Sequence, residues 1–252
     1  MNNEILQLHG LRKVHGDDRT GVVALDDVSL ALPAGTFTAV MGPSGSGKST
    51  LLQCAAGLDR PTAGRVLVAG REMTGDETEL TRFRREHIGF VFQQFNLLPS
   101  LTVLDNVTLP LRLAGKRPDR ARAIEILERV GLGDRIGHRP PALSGGQQQR
   151  TAIARALVTE PSVLFADEPT GALDTRGARA VLQLLQQAVR GYGRTIVMVT
   201  HDPVAAAHAD AVLFLADGRL VGRMADPTPD AVAERLARLG DDVARDAVRA
   251  GE

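Results

Sequence analysis

The residues Gly42-Pro43-Ser44-Gly45-Ser46-Gly47-Lys48-Ser49-Thr50 have the types and spacing of a phosphate-binding loop, G-x-x-x-x-G-K-[ST], without a mismatch. Glycines let the backbone wrap closely around an anion, so that several N–H groups point inward. A helix beginning at the end of the loop adds its partial positive charge. Lys48 has the reach for β- and γ-phosphates, and the Ser49 hydroxyl suits a place on Mg²⁺. The apolar run Thr36–Met41 before the loop reads as a buried strand, and Ser49–Ala56 after it reads as a helix. The chemistry implied is binding of a nucleoside triphosphate.

Three further groups stand at the ends of apolar runs or at a helix start. Val163-Leu164-Phe165-Ala166 ends in the adjacent carboxylates Asp167 and Glu168. Downstream of a phosphate loop, Asp167 is expected to hold the metal ion and Glu168 to face the attacking water. Adjacent residues on an extended chain point opposite ways, which allows two jobs. Thr195–Val199 ends in Thr200-His201-Asp202, placing His201 at the strand edge where ligands bind in such sheets. His201 is therefore expected at the γ-phosphate or the attacking water, whereas His9, His87, His138 and His208 read as structural. Leu143-Ser144-Gly145-Gly146-Gln147 opens a helix running to Val158. Ser144 is a natural N-cap and the two glycines permit close backbone approach, giving a second anion-ready helix terminus.

Positioning these groups requires strands and covering helices. Glu4–Leu8 and Val28–Leu32 alternate as half-buried strands, with a loop expected from Lys13 to Gly21. Arg65–Val68 reads as a short strand, Glu77–Glu86 as an exposed helix and Ile88–Phe92 as a buried strand ending in Gln93-Gln94. From about residue 97 to 158 the period is helical, broken by prolines, which indicates a helical insertion. The runs near 163, 195 and 212 are apolar on both faces, as in a parallel sheet covered by helices. Residues 1–225 are expected to form the main domain and 226–252 a short helical tail, interrupted near Gly240, with Val232, Leu236, Leu239 and Val243 on one face. The fold class expected is α/β.

Bulk properties narrow the function. Lys plus Arg and Asp plus Glu both number 30, and this neutrality argues against general affinity for nucleic acid. No run approaches the ~18 apolar residues of a membrane span, and Met1–Glu4 has no signal-peptide character, so a cytoplasmic location is expected. The single Cys54 falls among apolar helix residues and reads as a buried small side chain.

With these residues in order, the chain from roughly Ile5 to Gly222 resembles the ATPase subunits of ABC transporters. Gly42–Ser49 is similar to the family's Walker A loop, Ser144-Gly145-Gly146-Gln147 to its signature sequence, and Asp167-Glu168 to the Walker B aspartate and catalytic glutamate. Gln93 matches the loop glutamine that senses γ-phosphate and touches the membrane partner, Ala172-Leu173-Asp174 the D-loop, and His201 the switch histidine. Gly89–Pro99 and Asp167–Asp174 resemble the lipoprotein-release and macrolide-efflux branch more narrowly. The resemblance implies a P-loop NTPase (RecA-like) core with an N-terminal antiparallel β subdomain and an inserted helical subdomain. It implies ATP and Mg²⁺ as ligands, the ion on Ser49, Gln93 and Asp167. It implies a homodimer sandwiching two ATP molecules, with Asp174 and residues Ser144–Gln147 at the shared sites. It also implies a transmembrane permease partner at the cytoplasmic face of the membrane. One departure stands out: the family's adenine-stacking aromatic position is occupied by His15, a weaker stacker.

Competing readings explain less. A DNA- or ribosome-associated ABC-type ATPase usually carries a coiled-coil insertion or a second cassette, for which this chain has no room. A small-molecule kinase on the same loop leaves Leu143–Gln147 and His201 without a role, and a non-hydrolysing regulatory module does not need Asp167-Glu168.

Overall fold

A computed structural model describes residues 4–16 and 21–250, with side chains described as far as residue 240. In chain order the elements are β1 (Glu4–His15), β2 (Val22–Pro33), β3 (Phe37–Met41), α1 (Lys48–Ala55), β4 (Ala63–Val68), β5 (Arg71–Glu72), α2 (Glu77–His87) and β6 (Ile88–Val91). Then come α3 (Val103–Leu113), α4 (Arg120–Arg129), α5 (Gly145–Leu157), β7 (Val163–Asp167), α6 (Thr175–Tyr192) and β8 (Thr195–Val199). The chain closes with α7 (Pro203–Ala206), β9 (Ala211–Ala216), β10 (Arg219–Ala225) and α8 (Pro229–Ala250).

Two sheets organise these elements. An antiparallel sheet has the order β2-β1-β4-β5, and a six-stranded sheet has the order β10-β9-β3-β8-β7-β6. All neighbours in the larger sheet are parallel except the β9–β10 hairpin. Alternation divides its core. Phe37, Ala39, Met41, Leu164, Ala166, Ile196 and Met198 face α5, α6 and α7, while Val40, Phe165, Val197 and Val199 pack with α1 and the antiparallel sheet. Helices α3, α4 and α5 share a separate apolar cluster containing Val103, Val107, Leu127 and Ala154. The expected α/β class, mainly parallel sheet, antiparallel β unit and helical insertion are therefore all present.

The structure corrects the sequence reading at several places. The Lys13–Gly21 segment is not all loop, because β1 continues to His15. Gly10 in the left-handed region and register shifts between Leu8 and Val14 disturb the alternation that would have signalled it. The buried strand read over Ile88–Phe92 ends at Val91, and Ile88 and Phe90 are half-buried because β6 is the last strand of its sheet. Helix α8 runs without interruption through Gly240 to Ala250. The ~1 kcal/mol cost of a helical glycine is outweighed by the flanking Ala, Arg and Leu. Val232 and Leu239 of α8 are buried and Leu236 packs beside them, whereas the Val243 side chain lies outside the described residues.

Candidate nucleotide site

The C-terminal ends of four neighbouring parallel strands, β3, β8, β7 and β6, carry the phosphate loop, His201, Asp167-Glu168 and Gln93 respectively. This is the edge where parallel sheets hold ligands. Residues far apart in sequence are collected there because each directly follows a buried strand.

The loop is held by close backbone packing. A Cβ on Gly42 would lie 1.9 Å from the Leu215 carbonyl oxygen, and one on Gly47 would lie 2.2 Å from that of Ala24. Gly47 is also left-handed at φ 95°, and it caps α1 without a side-chain hydrogen bond. The first turn of α1 contains no acidic residue, so no carboxylate of its own competes with an anion for the N–H groups at that terminus. Behind the loop, the Gly218 N–H donates to the Ser46 carbonyl at 3.1 Å. Asp26 joins Arg12 and Arg219 in ion pairs, fastening the β9–β10 turn to the antiparallel sheet.

Lys48 donates from Nζ to the carbonyls of Gly42 at 3.0 Å and Pro43 at 2.7 Å. Desolvation lowers its pKa, opposed by the charges of Glu168 and Asp167. Ser49 Oγ donates to Asp167 Oδ1 across 3.4 Å. Burial raises the Asp167 pKa, and the neighbouring Glu168 adds to this against the Ser49 hydrogen bond and Lys48. A hydroxyl and a partly desolvated carboxylate side by side are hard oxygen donors in need of a cation. They suit Mg²⁺, which binds few protein groups and completes its octahedron with phosphate and water. Among the described residues no cluster of three or more His, Cys, Asp or Glu forms an all-protein cage.

Glu168 occupies the left-handed region at φ 47°, held by its N–H bond to the Val199 carbonyl at 2.9 Å. Its Oε1 is 2.9 Å from His201 Nδ1, while Oε2 is buried without a partner among the described residues. A carboxylate only accepts, so Nδ1 carries the proton in this contact. Gln93 is exposed and lies against the turn after Glu168: a Cβ on Gly171 would be 2.7 Å from Gln93 Nε2. His15 Nε2 is 3.5 Å from Thr50 Oγ1, so the imidazole does stand beside the loop.

The second anion-ready terminus is a separate surface. Ser144 caps α5 in a reciprocal capping box, accepting from the Gln147 N–H while Gln147 Oε1 accepts from the Ser144 N–H. Ser144, Gly145, Gly146 and Asp174 line one depression, and Asp174 caps α6 through the Gly177 N–H at 2.7 Å. Among the described residues no hydrogen bond joins this surface to the phosphate loop.

Two residues of α5 escaped sequence reasoning. Arg155 donates to the carbonyls of Phe95 at 3.0 Å and Asn96 at 2.5 Å, the two left-handed residues after Gln93-Gln94. Gln149 donates to Pro169 and Phe92 carbonyls. The available signal was that Gln149 shares a helical stripe with the buried Ala152, Ile153 and Ala156, a polar residue on an apolar face.

Known proteins resemble this chain in sequence and fold. The ABC transporter family profile matches residues 25–171. The macrolide export ATP-binding/permease protein MacB of Rhodopseudomonas palustris (strain HaA2) is 48% identical over 96% of this chain, which spans 36% of that protein. The uncharacterized ABC transporter ATP-binding protein YvrO of Bacillus subtilis (strain 168) is 48% identical, covering 86% of this chain and 96% of that protein. Among solved structures, the dimeric ATP-binding cassette MJ0796 in a post-hydrolysis state bound to ADP and Pi superposes with a TM-score of 0.81. It is 41% identical and covers 89% of this chain and 100% of that one. CbiO1 of Clostridium perfringens, part of the cbiONQ transporter complex, gives a TM-score of 0.80 at 30% identity, covering 94% and 93% of the two chains. The family match and the fold shared with these cassettes show that this chain is a member of the ABC transporter family.

Proposed function

We propose that this chain is an ATP-binding and ATP-hydrolysing motor subunit that dimerises around two ATP molecules and drives a transmembrane permease from the cytoplasmic face. The observation that carries the reading is the separation of two complementary anion surfaces: the strand-edge site with Lys48, Ser49, Asp167 and Glu168, and the Ser144–Gln147 terminus away from it. Each protomer offers both halves of a self-complementary interface, as a two-fold dimer requires. The dimeric cassettes among its structural relatives support this. Residues 1–225 would form the ATPase unit, and α8 an appended helix packed on it through Val232 and Leu239.

In this reading the loop Gly42–Thr50 binds the phosphates through backbone N–H groups, and Lys48 exchanges its carbonyl partners for phosphate oxygens. His15 flanks the base side. Ser49, Asp167 and Gln93 hold Mg²⁺, which when bound neutralises phosphate charge. Glu168 accepts a proton from the attacking water, and His201 holds the carboxylate through Oε1. Ser144, Gly145, Gly146, Gln147 and Asp174 meet the ATP held by the partner copy.

Magnitudes favour hydrogen bonds as the closing force. Shifting an open/closed equilibrium from 1:99 to 99:1 takes about 5.5 kcal/mol. A helix terminus contributes about 0.3–1 kcal/mol. Hydrogen bonds to charged groups contribute about 1.5–3 kcal/mol each, so two ATP molecules bridged by Ser144 and the adjacent N–H groups suffice. Hydrolysis removes that bridge and the dimer opens. The test is ATPase activity of the purified chain with Mg²⁺, with and without its permease. Hydrolysis stimulated by the permease is expected, and a protein that binds no ATP would sink the proposal.

A further inference from the structure

Gln149 is wholly buried in the second turn of α5, at 0% exposure. Its Nε2 donates to the Pro169 carbonyl at 2.7 Å and the Phe92 carbonyl at 3.4 Å. Both partners are acceptors, which settles the orientation of the amide, since an oxygen in that place would face two carbonyls. Pro169 directly follows Glu168, and Phe92 directly precedes Gln93. One side chain thus ties the backbones that carry the two flanking groups of the reacting phosphate to the helix capped by Ser144.

The amide satisfies these carbonyls while leaving its own oxygen unpaired. Gln149 Oε1 is buried with no partner among the described residues, and an unpaired buried acceptor costs more than a typical hydrogen bond returns. The stripe it occupies is otherwise apolar; an aliphatic side chain there would remove the orphaned Oε1 but leave the Pro169 and Phe92 carbonyls without this donor.

We propose that Gln149 is a positioning residue for hydrolysis: it sets Glu168 and Gln93 at fixed distances from the Ser144 terminus. When that terminus engages the partner's nucleotide, a displacement of α5 reaches Pro169 and Phe92 through this one amide. The proposal rests on the ATPase reading above, and on no contact between Gln149 and nucleotide.

The test replaces Gln149 by methionine, which keeps an unbranched shape and removes the donor. With wild-type and Gln149→Met proteins compared in Mg-ATP, Kd for ATP and KM are expected to agree within about twofold. The value of kcat is expected to fall about 10- to 100-fold, as for a misplacement of about 1 Å at a reacting centre. Melting temperature is expected to fall by a few degrees, because the Pro169 carbonyl loses its buried donor. Should this variant not fold, Gln149→Leu is read by the same criteria. A kcat within about twofold of wild type would overturn the proposal, as would a joint fall of affinity, kcat and melting temperature, which marks a packing role. A wild-type protein without hydrolysis would overturn the ATPase reading itself, an outcome distinct from an active wild type beside an unimpaired variant.

Discussion

Glu168 and His201 meet at one carboxylate oxygen: Oε1 lies 2.9 Å from the imidazole Nδ1, and Oε2 is buried with no partner among the described residues. The histidine thereby holds one carboxylate oxygen, while the other is enclosed by the protein. Because 33 residues separate the pair, the contact depends on β7 and β8 being neighbours in register, Asp167 opposite Val199.

Replacing Glu168 with Gln removes the proposed proton acceptor and keeps the shape. Turnover should fall about 10²–10⁴-fold while ATP binding persists, as measured by single-turnover hydrolysis and equilibrium titration. Normal hydrolysis by this variant would show that Glu168 is not the base.

Asp167 predicts opposite effects on stability and function. Its folded pKa is raised by burial above the ordinary 3.8, so the folded state holds this proton to higher pH than the unfolded state. The associated stability is complete below the unfolded pKa and is lost as pH rises through the folded one. At neutral pH, Asp167→Asn should therefore raise the melting temperature of the nucleotide-free protein and weaken Mg²⁺-dependent ATP binding. Calorimetry with and without Mg-ATP checks both, and a lower melting temperature would contradict the first.

Gly47→Ala puts a methyl group 2.2 Å from the Ala24 carbonyl oxygen at a left-handed residue. The expected result is loss of ATP binding together with a destabilisation greater than ~1 kcal/mol, seen by denaturant titration. Retained affinity would mean that the antiparallel sheet does not support the loop.

Cys54 is 1% exposed, and desolvation first, then the Asp59 charge, pushes its thiol up to about 11. At pH 8 a thiol reagent should label it only as the protein unfolds. Fast labelling of the folded protein would place α1 differently.

The parts legible in sequence were those whose chemistry is local. Gly42–Thr50 declares itself by spacing, and Ser144 by its place before a helix. The apolar runs at β3, β7 and β8 placed Asp167, Glu168 and His201 at one sheet edge. What stayed hidden depends on partners distant in the chain. Gln149 meets carbonyls 20 and 57 residues away, and no side-chain pattern marks a carbonyl as an acceptor. Strand β10 was missed because it alternates only between exposed and half-buried, with Gly222 at a register shift. The continuation of α8 past Gly240 is a tertiary and propensity balance that a single glycine misreports.

The most direct test of ATP as the link between two copies is the mass in solution of the Glu168→Gln protein, by light scattering at saturating Mg-ATP and without nucleotide. The expected result is a monomer that becomes a dimer on adding Mg-ATP and reverts when Ser144 is also replaced by Arg. A protein that stays monomeric at saturating Mg-ATP, alone and beside its permease, would contradict the account.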